Sequence, residues 1–235
     1  MTSLTSTAPQ RLIAIGDIHG RSDKLNRLLE AVTPRRDDRF VFLGDYVDRG
    51  ADSKGVIERL LGLRAESPQS VFIRGNHDQM FLDVVTELGI RKGPRLRDIS
   101  AAYRSYAPAT DLDIFLSNGG EATLASYDLD GRGDLPADHL AFLEDTRLFW
   151  HCMPYIFVHA GVAPDTPLEE QDPFVMLWRR NAPPGRAGTI HVVGHTPTLN
   201  GRPRFEPGRY FLDTGAAYGR PLTACDLLTM QVWQE

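Results

Sequence analysis

Five short apolar runs in this chain each end at a block of glycines and potential metal ligands. The runs occupy residues 12–15, 40–43, 71–73, 155–158 and 190–193. Apolar runs of this length that are bounded by glycine predict buried strands. Polar side chains just past the carboxyl ends of strands are where α/β proteins assemble their sites. The pattern therefore predicts an α/β fold in which five strand ends converge on one site.

Helical periodicity follows the first three blocks. Ser22 is predicted to cap the first of these helices and Asp52 the second, and a third is predicted near residues 79–88. From residue 89 to 147 the rhythm changes to mixed helix and loop. Because this segment separates the third block from the fourth, it is predicted to form a rim or partial cap beside the site.

Composition places the chain among ordinary soluble globular proteins, with 235 residues, 42% hydrophobic and 24% charged. We expect one domain over residues 11–235, preceded by a flexible terminus at residues 1–10. The formal net charge of −5 gives no broad basic field, so nucleic acid is not an expected partner.

The number of cysteines and the lengths of the apolar stretches indicate the cellular compartment in which the protein is expected. Only two cysteines occur, Cys152 and Cys225, which argues against a disulfide framework and for a reducing environment. The first ten residues lack the basic and apolar regions of a secretory signal. No apolar stretch approaches the roughly 18 to 20 residues that a membrane span needs. A cytoplasmic protein without membrane association is expected.

The side chains at the five strand ends form a ligand set of nitrogen and oxygen donors without thiolate. The candidates are Asp17, His19, Asp45, Asn76, His159 and His195. Such a set suits Mn, Fe or Zn, whereas an all-oxygen set would suggest Mg or Ca. Six ligands are too many for one four-coordinate catalytic metal that keeps a position open. Two divalent ions sharing a bridging carboxylate fit better.

Read in order, the blocks are GDIHG at 16–20, GDYVDRG at 44–50, GNHD at 75–78, HAG at 159–161 and GHT at 194–196. This ordered set resembles the calcineurin-like metallophosphoesterases and, within them, the bacterial branch of the phosphoprotein phosphatase family of Ser/Thr phosphatases. The resemblance implies a sandwich of two mixed β-sheets flanked by helices, with a dimetal site at the strand carboxyl ends.

The resemblance also implies roles for the ligands. One metal would be held by Asp17, His19 and Asp45, and the other by Asp45, Asn76, His159 and His195. Manganese is the expected metal, with iron or zinc as alternatives. A metal-bridging hydroxide would then attack the phosphorus in line in a single step.

Phosphate binding and acid catalysis are assigned in the same way. Arg49 and Arg180 would grip the phosphoryl group together with Asn76, and Arg179 is the other candidate for the second arginine. His77 would be the general acid for the leaving oxygen. Asp48 would pair with it and hold the imidazolium protonated.

Several residues have a simpler structural interpretation. Arg49 could form only a surface salt bridge, and Asp213 could either support the ligands or shape a turn. The basic run of Arg91, Lys92, Arg95 and Arg97 is typical of a solvated face, with steering of phosphoproteins as the alternative. His139, His151 and His191 lie outside the blocks and are predicted to be structural or surface residues.

The function expected is hydrolysis of phosphorylated Ser or Thr in proteins or peptides. The closest alternative is a symmetrical bis(5'-nucleosyl)-tetraphosphatase, a relative with the same metal core. Its second block usually reads Asn-Arg-Gly where this chain has Asp48-Arg49-Gly50. A catalytically silent binding module would show eroded ligands, and here none is missing. The chain also lacks the GxxxxGK[ST] motif of P-loop enzymes.

Overall fold

Two five-stranded β-sheets form the centre of the computed structural model, which describes residues 10–106, 109–129, 131, 133–180, 183–184 and 188–235. The expectation for residues 1–10 therefore lies outside the described residues, apart from Gln10. The strands are β1 (Leu12–Ile15), β2 (Arg39–Phe42), β3 (Val71–Phe72), β4 (Phe149–Cys152), β5 (Tyr155–Val158), β6 (Ile190–Val193), β7 (Arg204–Glu206), β8 (Arg209–Phe211), β9 (Thr223–Asp226) and β10 (Gln231–Gln234).

Both sheets are mixed, as expected. The first has the order β10-β9-β1-β2-β3, with β1, β2 and β3 parallel, β9 antiparallel to β1, and β10 antiparallel to β9. The second has the order β4-β5-β6-β8-β7, with β5, β6 and β8 parallel. Because parallel strands end at the same edge, the first three ligand blocks leave one edge of the first sheet together. The fourth and fifth leave one edge of the second sheet.

The two sheets pack face to face through an apolar layer. Ala14 and Val41 of the first sheet lie in one buried cluster with Phe157 and Val192 of the second. The alternate residues of β1 and β2, such as Ile13 and Phe40, face the opposite way and pack under helices. Each of the first sheet's central strands is therefore buried on both faces, which explains why it reads as an unbroken apolar run.

Nine α-helices surround the sheets within the described part of the chain. They are α1 (Ser22–Val32), α2 (Ser53–Glu66), α3 (Asn76–Glu87), α4 (Leu96–Ile99), α5 (Ala101–Tyr106), α6 (Asp111–Ser117), α7 (Glu121–Tyr127), α8 (Ala137–Glu144) and α9 (Pro173–Trp178). None of them is long and apolar enough to cross a bilayer. Helices α4 to α8 occupy the segment predicted as mixed helix and loop.

Of the two predicted helix caps, one is confirmed and the other is not. Asp52 caps α2, since its carboxylate accepts the backbone N–H of Gly55 at 2.9 Å. The prediction that Ser22 caps α1 is wrong. Ser22 is the first helical residue, and its hydroxyl donates to the Asp52 carboxylate at 2.5 Å instead. The serine therefore joins two helix starts rather than capping its own.

The third helix begins at Asn76, three residues earlier than residue 79, where it was expected. The cause is the side chain of Asp78, which accepts the N–H of Gly75 at 2.8 Å and so closes the first turn. Asn76 and His77 consequently lie on a helix rather than in a loop. Their side-chain positions are fixed by that first turn.

Candidate metal centre

All six predicted ligands come together where the strands of the two sheets end. Each is at most 9% exposed, and the set comprises Asp17, His19, Asp45, Asn76, His159 and His195. His159 Nε2 lies 2.9 Å and His195 Nδ1 3.0 Å from Asn76 Oδ1. The backbone N–H of His195 donates to Asp17 Oδ2 at 2.9 Å. The fifth block is thereby tied directly to the first.

Asp45 lies at the centre of this cluster. Its Oδ1 is 3.5 Å from His159 Nε2, and its Oδ2 is 3.4 Å from His19 Nε2. Two groups of mutually close donor atoms both contain it, namely His19 with Asp45 and His77, and Asp17 with Asp45 and His159. A carboxylate that offers one oxygen to each side is what two neighbouring cations would share.

These groups differ from the predicted division of ligands in one respect. His77 joins the group of His19, whereas Asp17 lies with His159. Asp17 was expected beside His19, two positions along the chain. The backbone of this turn is unusual, since His19 has a positive φ of 49°. The assignment of each ligand to a particular ion stays a prediction.

The histidine tautomers suit metal binding. His19 Nδ1 is 3.0 Å from the Val47 carbonyl, and His159 Nδ1 is 2.7 Å from the Leu43 carbonyl. A carbonyl only accepts, so each Nδ1 carries the proton and each Nε2 presents its lone pair to the centre. Burial lowers the pKa of His159 to about 3 and that of His19 well below its usual range. A histidine must be neutral to bind a metal ion, so both side chains are in a form that suits a ligand.

The carboxylates carry an electrostatic strain that cations would relieve. Burial raises the pKa of Asp17 well above its usual range, and the nearby charges of Asp213 and Asp45 add to the effect. Burial likewise raises the pKa of Asp213 to about 6. Asp213 also accepts the N–H of Gly215 at 2.9 Å, so it shapes a turn as well as facing a ligand. Together with the neutral imidazoles, these groups fit divalent cations bound by nitrogen and oxygen.

Two glycines allow the strand ends to approach this closely. A Cβ at Gly75 would lie 2.0 Å from Asp45 Oδ1, and a Cβ at Gly194 would lie 2.1 Å from Asp17 Oδ1. Any larger residue would displace a carboxylate from the cluster. These positions depend on close approach rather than on an unusual φ.

His77 and Asp48 form the expected pair. His77 Nδ1 is 2.7 Å from Asp48 Oδ2, and both residues are at most 1% exposed. Burial lowers the pKa of His77 to about 4 and raises the pKa of Asp48. Burial of the two side chains therefore disfavours the protonated, charged His77 that the sequence suggested. The contact with the Asp48 carboxylate favours that charged form.

Thr123 completes this pair, and sequence reasoning missed it. Its hydroxyl donates to Asp48 Oδ1 at 2.6 Å and accepts the Asp48 N–H at 2.8 Å. Ser53 Oγ lies 3.1 Å from the same N–H. All three residues are completely buried. Thr123 comes from α7, 75 residues along the chain, so no local pattern could have signalled it.

The arginines lie at the exposed side of the centre. Arg49 is exposed, its Nη1 is 2.7 Å from His19 Nε2, and its guanidinium lies over the ring of Tyr218 at 5.4 Å. Its backbone N–H donates to the carbonyl of Gly119 at 3.0 Å. These contacts direct Arg49 toward the ligands instead of toward a surface carboxylate.

Arg179 and Arg180 are separated by their surroundings. The pKa of His195, lowered mainly by burial to about 3, is lowered further by the charge of Arg180. Arg179 instead acts on Arg209, whose pKa is lowered first by burial. The charge of Arg180 thus acts on one of the predicted ligands, and the choice between the two arginines stays a prediction.

The basic run early in the rim segment is largely used inside the fold. Arg91 pairs with Glu144 at 2.8 Å, while Arg95 and Arg97 both pair with Asp111 at 3.1 and 2.5 Å. Lys92 is exposed. The ion pairs give the run a structural role and weaken the interpretation that it steers phosphoproteins.

Two histidines outside the blocks are buried, and the third is exposed. His139 Nδ1 contacts the Tyr127 hydroxyl at 2.9 Å, and His191 is 5% exposed on β6. His151 is exposed on β4. Each has the structural or surface position that the sequence predicted.

Comparisons with known proteins agree with this arrangement. The model of the calcineurin-like phosphoesterase family matches residues 10–219. Serine/threonine-protein phosphatase 1 of Salmonella typhimurium is 31% identical over 228 residues, covering 89% of this chain and 88% of the relative.

Among solved structures, a candidate diadenosine tetraphosphatase aligns with a TM-score of 0.68 at 23% identity, covering 97% of this chain and 95% of that one. A serine/threonine phosphatase from Saccharomyces cerevisiae aligns with a TM-score of 0.60 at 16% identity, covering 94% of this chain and 73% of that one. These two likenesses show a shared fold.

Replacing the shared carboxylate tests the centre directly. Asp45→Asn should lose both metal ions, because it removes the negative charge of the carboxylate that is common to both groups of donors. Metal content after dialysis against Mn, measured by plasma mass spectrometry, checks this. Asp145→Asn is the matched control, since Asp145 is exposed on the surface. Two ions per chain retained in Asp45→Asn would contradict the bridging role.

Proposed function

This chain belongs to the calcineurin-like phosphoesterase family, and we propose that it is a metal-dependent phosphomonoester hydrolase acting on phospho-Ser and phospho-Thr in proteins. The observation that carries the proposal is Asp45 between two groups of donors, with the pair of His77 and Asp48 beside it. Two divalent ions, Mn by expectation, would supply a water of lowered pKa and neutralise phosphoryl charge.

The phosphoryl group is held by guanidinium and amide groups. Arg49 and Arg180 are exposed beside the buried ligands, where they can reach non-bridging phosphoryl oxygens. Planar guanidinium groups bind such oxygens in bidentate fashion and remain charged at any relevant pH. Asn76 contributes its amide from the first turn of α3. These three residues fix the orientation of the phosphorus for in-line attack.

The leaving oxygen needs a proton, and His77 is placed to supply one. Its Nδ1 is occupied by Asp48, so Nε2 is the nitrogen left for the substrate. The ring of His77 meets the ring of His19 edge to face, with 4.6 Å between centroids. His77 thereby borders the donors without being one of the six predicted ligands. Asp48 orients the ring, and Thr123 orients Asp48.

Two features favour a phosphoprotein as the substrate. The Salmonella relative is a serine/threonine-protein phosphatase, and its alignment spans most of both chains. The second block carries Asp48, where nucleotide-hydrolysing relatives usually carry asparagine. Because Asp48 contacts His77, this difference lies at the proton donor for an alkoxide leaving group.

A second candidate, hydrolysis of a symmetrical dinucleoside tetraphosphate, is favoured by one group of aromatic residues. The rings of Phe174 and Trp178 lie 5.1 and 5.7 Å from Tyr106, and Trp178 lies 6.3 Å from His195. Tyr106 is 61% exposed, so its face could stack on a nucleobase. Tyr103, the other candidate for stacking, is 1% exposed and is part of the core.

The proposed role of His77 as general acid is tested by comparing two substrates whose leaving groups differ in their need for a proton. His77→Asn should keep the metals but lower turnover of an alkyl phosphate by roughly 10²- to 10⁴-fold, the usual contribution of a positioned acid. With a nitrophenyl ester, whose leaving group scarcely needs a proton, the loss should shrink. Steady-state rates on both substrates, with metal analysis, check this. Equal losses on the two esters, or loss of metal, would assign His77 another role.

The hydrogen bond from Thr123 in α7 to Asp48 gives a sharper test of the pair of His77 and Asp48. Thr123→Val should lower turnover of the alkyl phosphate by roughly 10-fold or more, since it removes a hydrogen bond to a charged group. Thr123→Ser is the matched control because it keeps the hydroxyl and should retain most activity. The loss should again shrink with the nitrophenyl ester. Similar rates for the serine and valine variants would mean that the methyl group, and not the hydroxyl, matters.

The class of substrate is tested by comparing kcat/KM for a phosphopeptide and for a dinucleoside tetraphosphate. The kcat/KM for a phospho-Ser or phospho-Thr peptide should exceed that for diadenosine tetraphosphate at least about tenfold, or about 1.4 kcal/mol of transition-state binding. Phosphate release from the peptide and formation of the nucleoside diphosphate from diadenosine tetraphosphate, both in Mn buffer, measure the ratio. Tyr106→Ala should leave the peptide rate unchanged. The reverse ordering, with a loss of nucleotide hydrolysis in Tyr106→Ala, would establish the second candidate.

A further inference from the structure

A buried carboxylate, Asp83 of α3, lies where the rim segment (residues 89–147) packs on that helix. Asp83 is 1% exposed. Its Oδ1 accepts the side-chain amide of Gln79 at 2.8 Å and the backbone N–H of Leu96, the first residue of α4, at 3.0 Å. Within the described residues, Oδ2 has no hydrogen-bond partner. Asp83 is not one of the predicted ligands, and the proposed reaction does not use it.

Leu96 also fixes the start of the rim segment through its side chain. It is 1% exposed and lies in a buried cluster with Tyr103 of α5 and Leu177 of α9. The backbone of Leu96 thus bonds to α3 while its side chain packs on α5 and α9. The hydrogen bond to Asp83 therefore belongs to a junction of four helices.

The same junction reaches the other end of the rim segment through two more side chains. Gln79 Oε1 accepts Arg74 Nη1 at 2.9 Å. Arg74 Nη2 in turn donates to the carbonyls of Leu143 and Glu144, at 3.2 and 2.9 Å. Arg74 directly precedes the third ligand block. The connected side chains of Asp83, Gln79 and Arg74 therefore hold both ends of the rim segment against that block.

The guanidinium groups around Asp83 are engaged with other acceptors. Arg91 pairs with Glu144 at the end of α8 at 2.8 Å, and Arg97 pairs with Asp111 at 2.5 Å. The ionisable groups that interact electrostatically with Asp83 are Arg74 after β3, Arg91 before α4, Arg97 in α4, Tyr103 in α5 and Asp111 in α6. The positive charges among them already have partners.

Asp83 therefore changes between its neutral and charged forms near neutral pH. Burial raises the pKa of Asp83 to about 7, and the charge of Asp111 adds to the effect. The hydrogen bonds from Gln79 and Leu96 and the charge of Arg91 work in the opposite direction. A proton on Oδ2 removes the buried charge and leaves Oδ1 free to accept both hydrogen bonds.

We propose that Asp83 makes the docking of the rim segment on α3 sensitive to pH. With a proton on Oδ2 the junction is closed, and loss of that proton loosens it, because a buried charge with one unbonded oxygen is left between the helices. The same segment supplies Gly119 and Thr123 to the candidate centre. The inference concerns docking alone, so it stands whether or not the proposed function holds.

The direction of the effect follows from where the proton binds more tightly. An aspartate in water titrates near about pH 4, whereas docked Asp83 titrates at about 7. Docking is therefore strongest below about pH 4. It weakens by up to roughly tenfold per pH unit as the pH rises toward about 7, and it is constant above that value.

Backbone hydrogen exchange on the full chain tests the proposal. The amide of Leu96 and those of α4 and α5 should lose roughly 10- to 30-fold of their protection between about pH 5.5 and 7.5, after correction for intrinsic exchange rates. Asp83→Asn cannot ionise, so its protection should be the same at both pH values. Asp226→Asn is the matched control and should keep the parent's pH dependence. Asp226 is also a buried carboxylate, but it accepts the N–H of Leu12 in the first sheet.

The carboxyl carbon signal of Asp83 in NMR spectra of the parent chain gives a second measurement, which needs no variant to fold. It should titrate near pH 7. A midpoint near about pH 4, as for an aspartate in water, would overturn the proposal. So would protection in the parent chain that is equal at the two pH values, or a pH dependence that Asp83→Asn retains.

Discussion

The geometry of the candidate centre depends on one buried carboxylate that is not itself a ligand. Asp78 accepts the backbone N–H groups of Asp45, Tyr46 and Gly75, each at 2.8 Å. It thereby joins the loop after β2 to the start of α3. Burial raises the pKa of Asp78 to about 7, and these three hydrogen bonds work in the opposite direction. Together with the N–H of His77, which donates to Asp45 Oδ1 at 3.0 Å, this anchor fixes the shared carboxylate relative to Asn76.

The backbone around the centre is strained in consequence. His19, Asp45, Asp48, Arg49 and His195 all have φ between 49° and 72°, a region that side chains other than glycine adopt rarely. Such conformations persist only where the surroundings over-determine them. Here the surroundings are the two apolar layers of the sandwich and the hydrogen bonds that cross between loops. The stability of the packed sheets thus maintains a local geometry that the loops alone would not keep.

The sequence predicted those parts of the molecule whose signals are local. Asp17, Asp45, Asn76, His159 and His195 each follow an apolar run, and strand and ligand are read from the same few residues. Thr123 and Asp78 could not be found this way, because each acts on a backbone segment distant in the chain. Ser22 shows the opposite kind of error. Serine is a typical capping residue and lies at the start of α1, but its hydroxyl bonds to Asp52 at the start of α2.

The rim segment, residues 89–147, and helix α3 hold different residues of the candidate centre. Gly119 holds the backbone of Arg49 and Thr123 holds Asp48, whereas Asp78 in α3 holds the loop of the shared carboxylate. Under the proposed function, phosphate binding and proton delivery would therefore depend on contacts from one stretch of chain, and cation affinity would depend on contacts from another. A disturbance confined to residues 119–123 would leave molecules that are fully loaded with metal and yet inert. If the proposed function holds, bound metal would be necessary for activity without being sufficient, so metal content alone could not serve as a measure of specific activity.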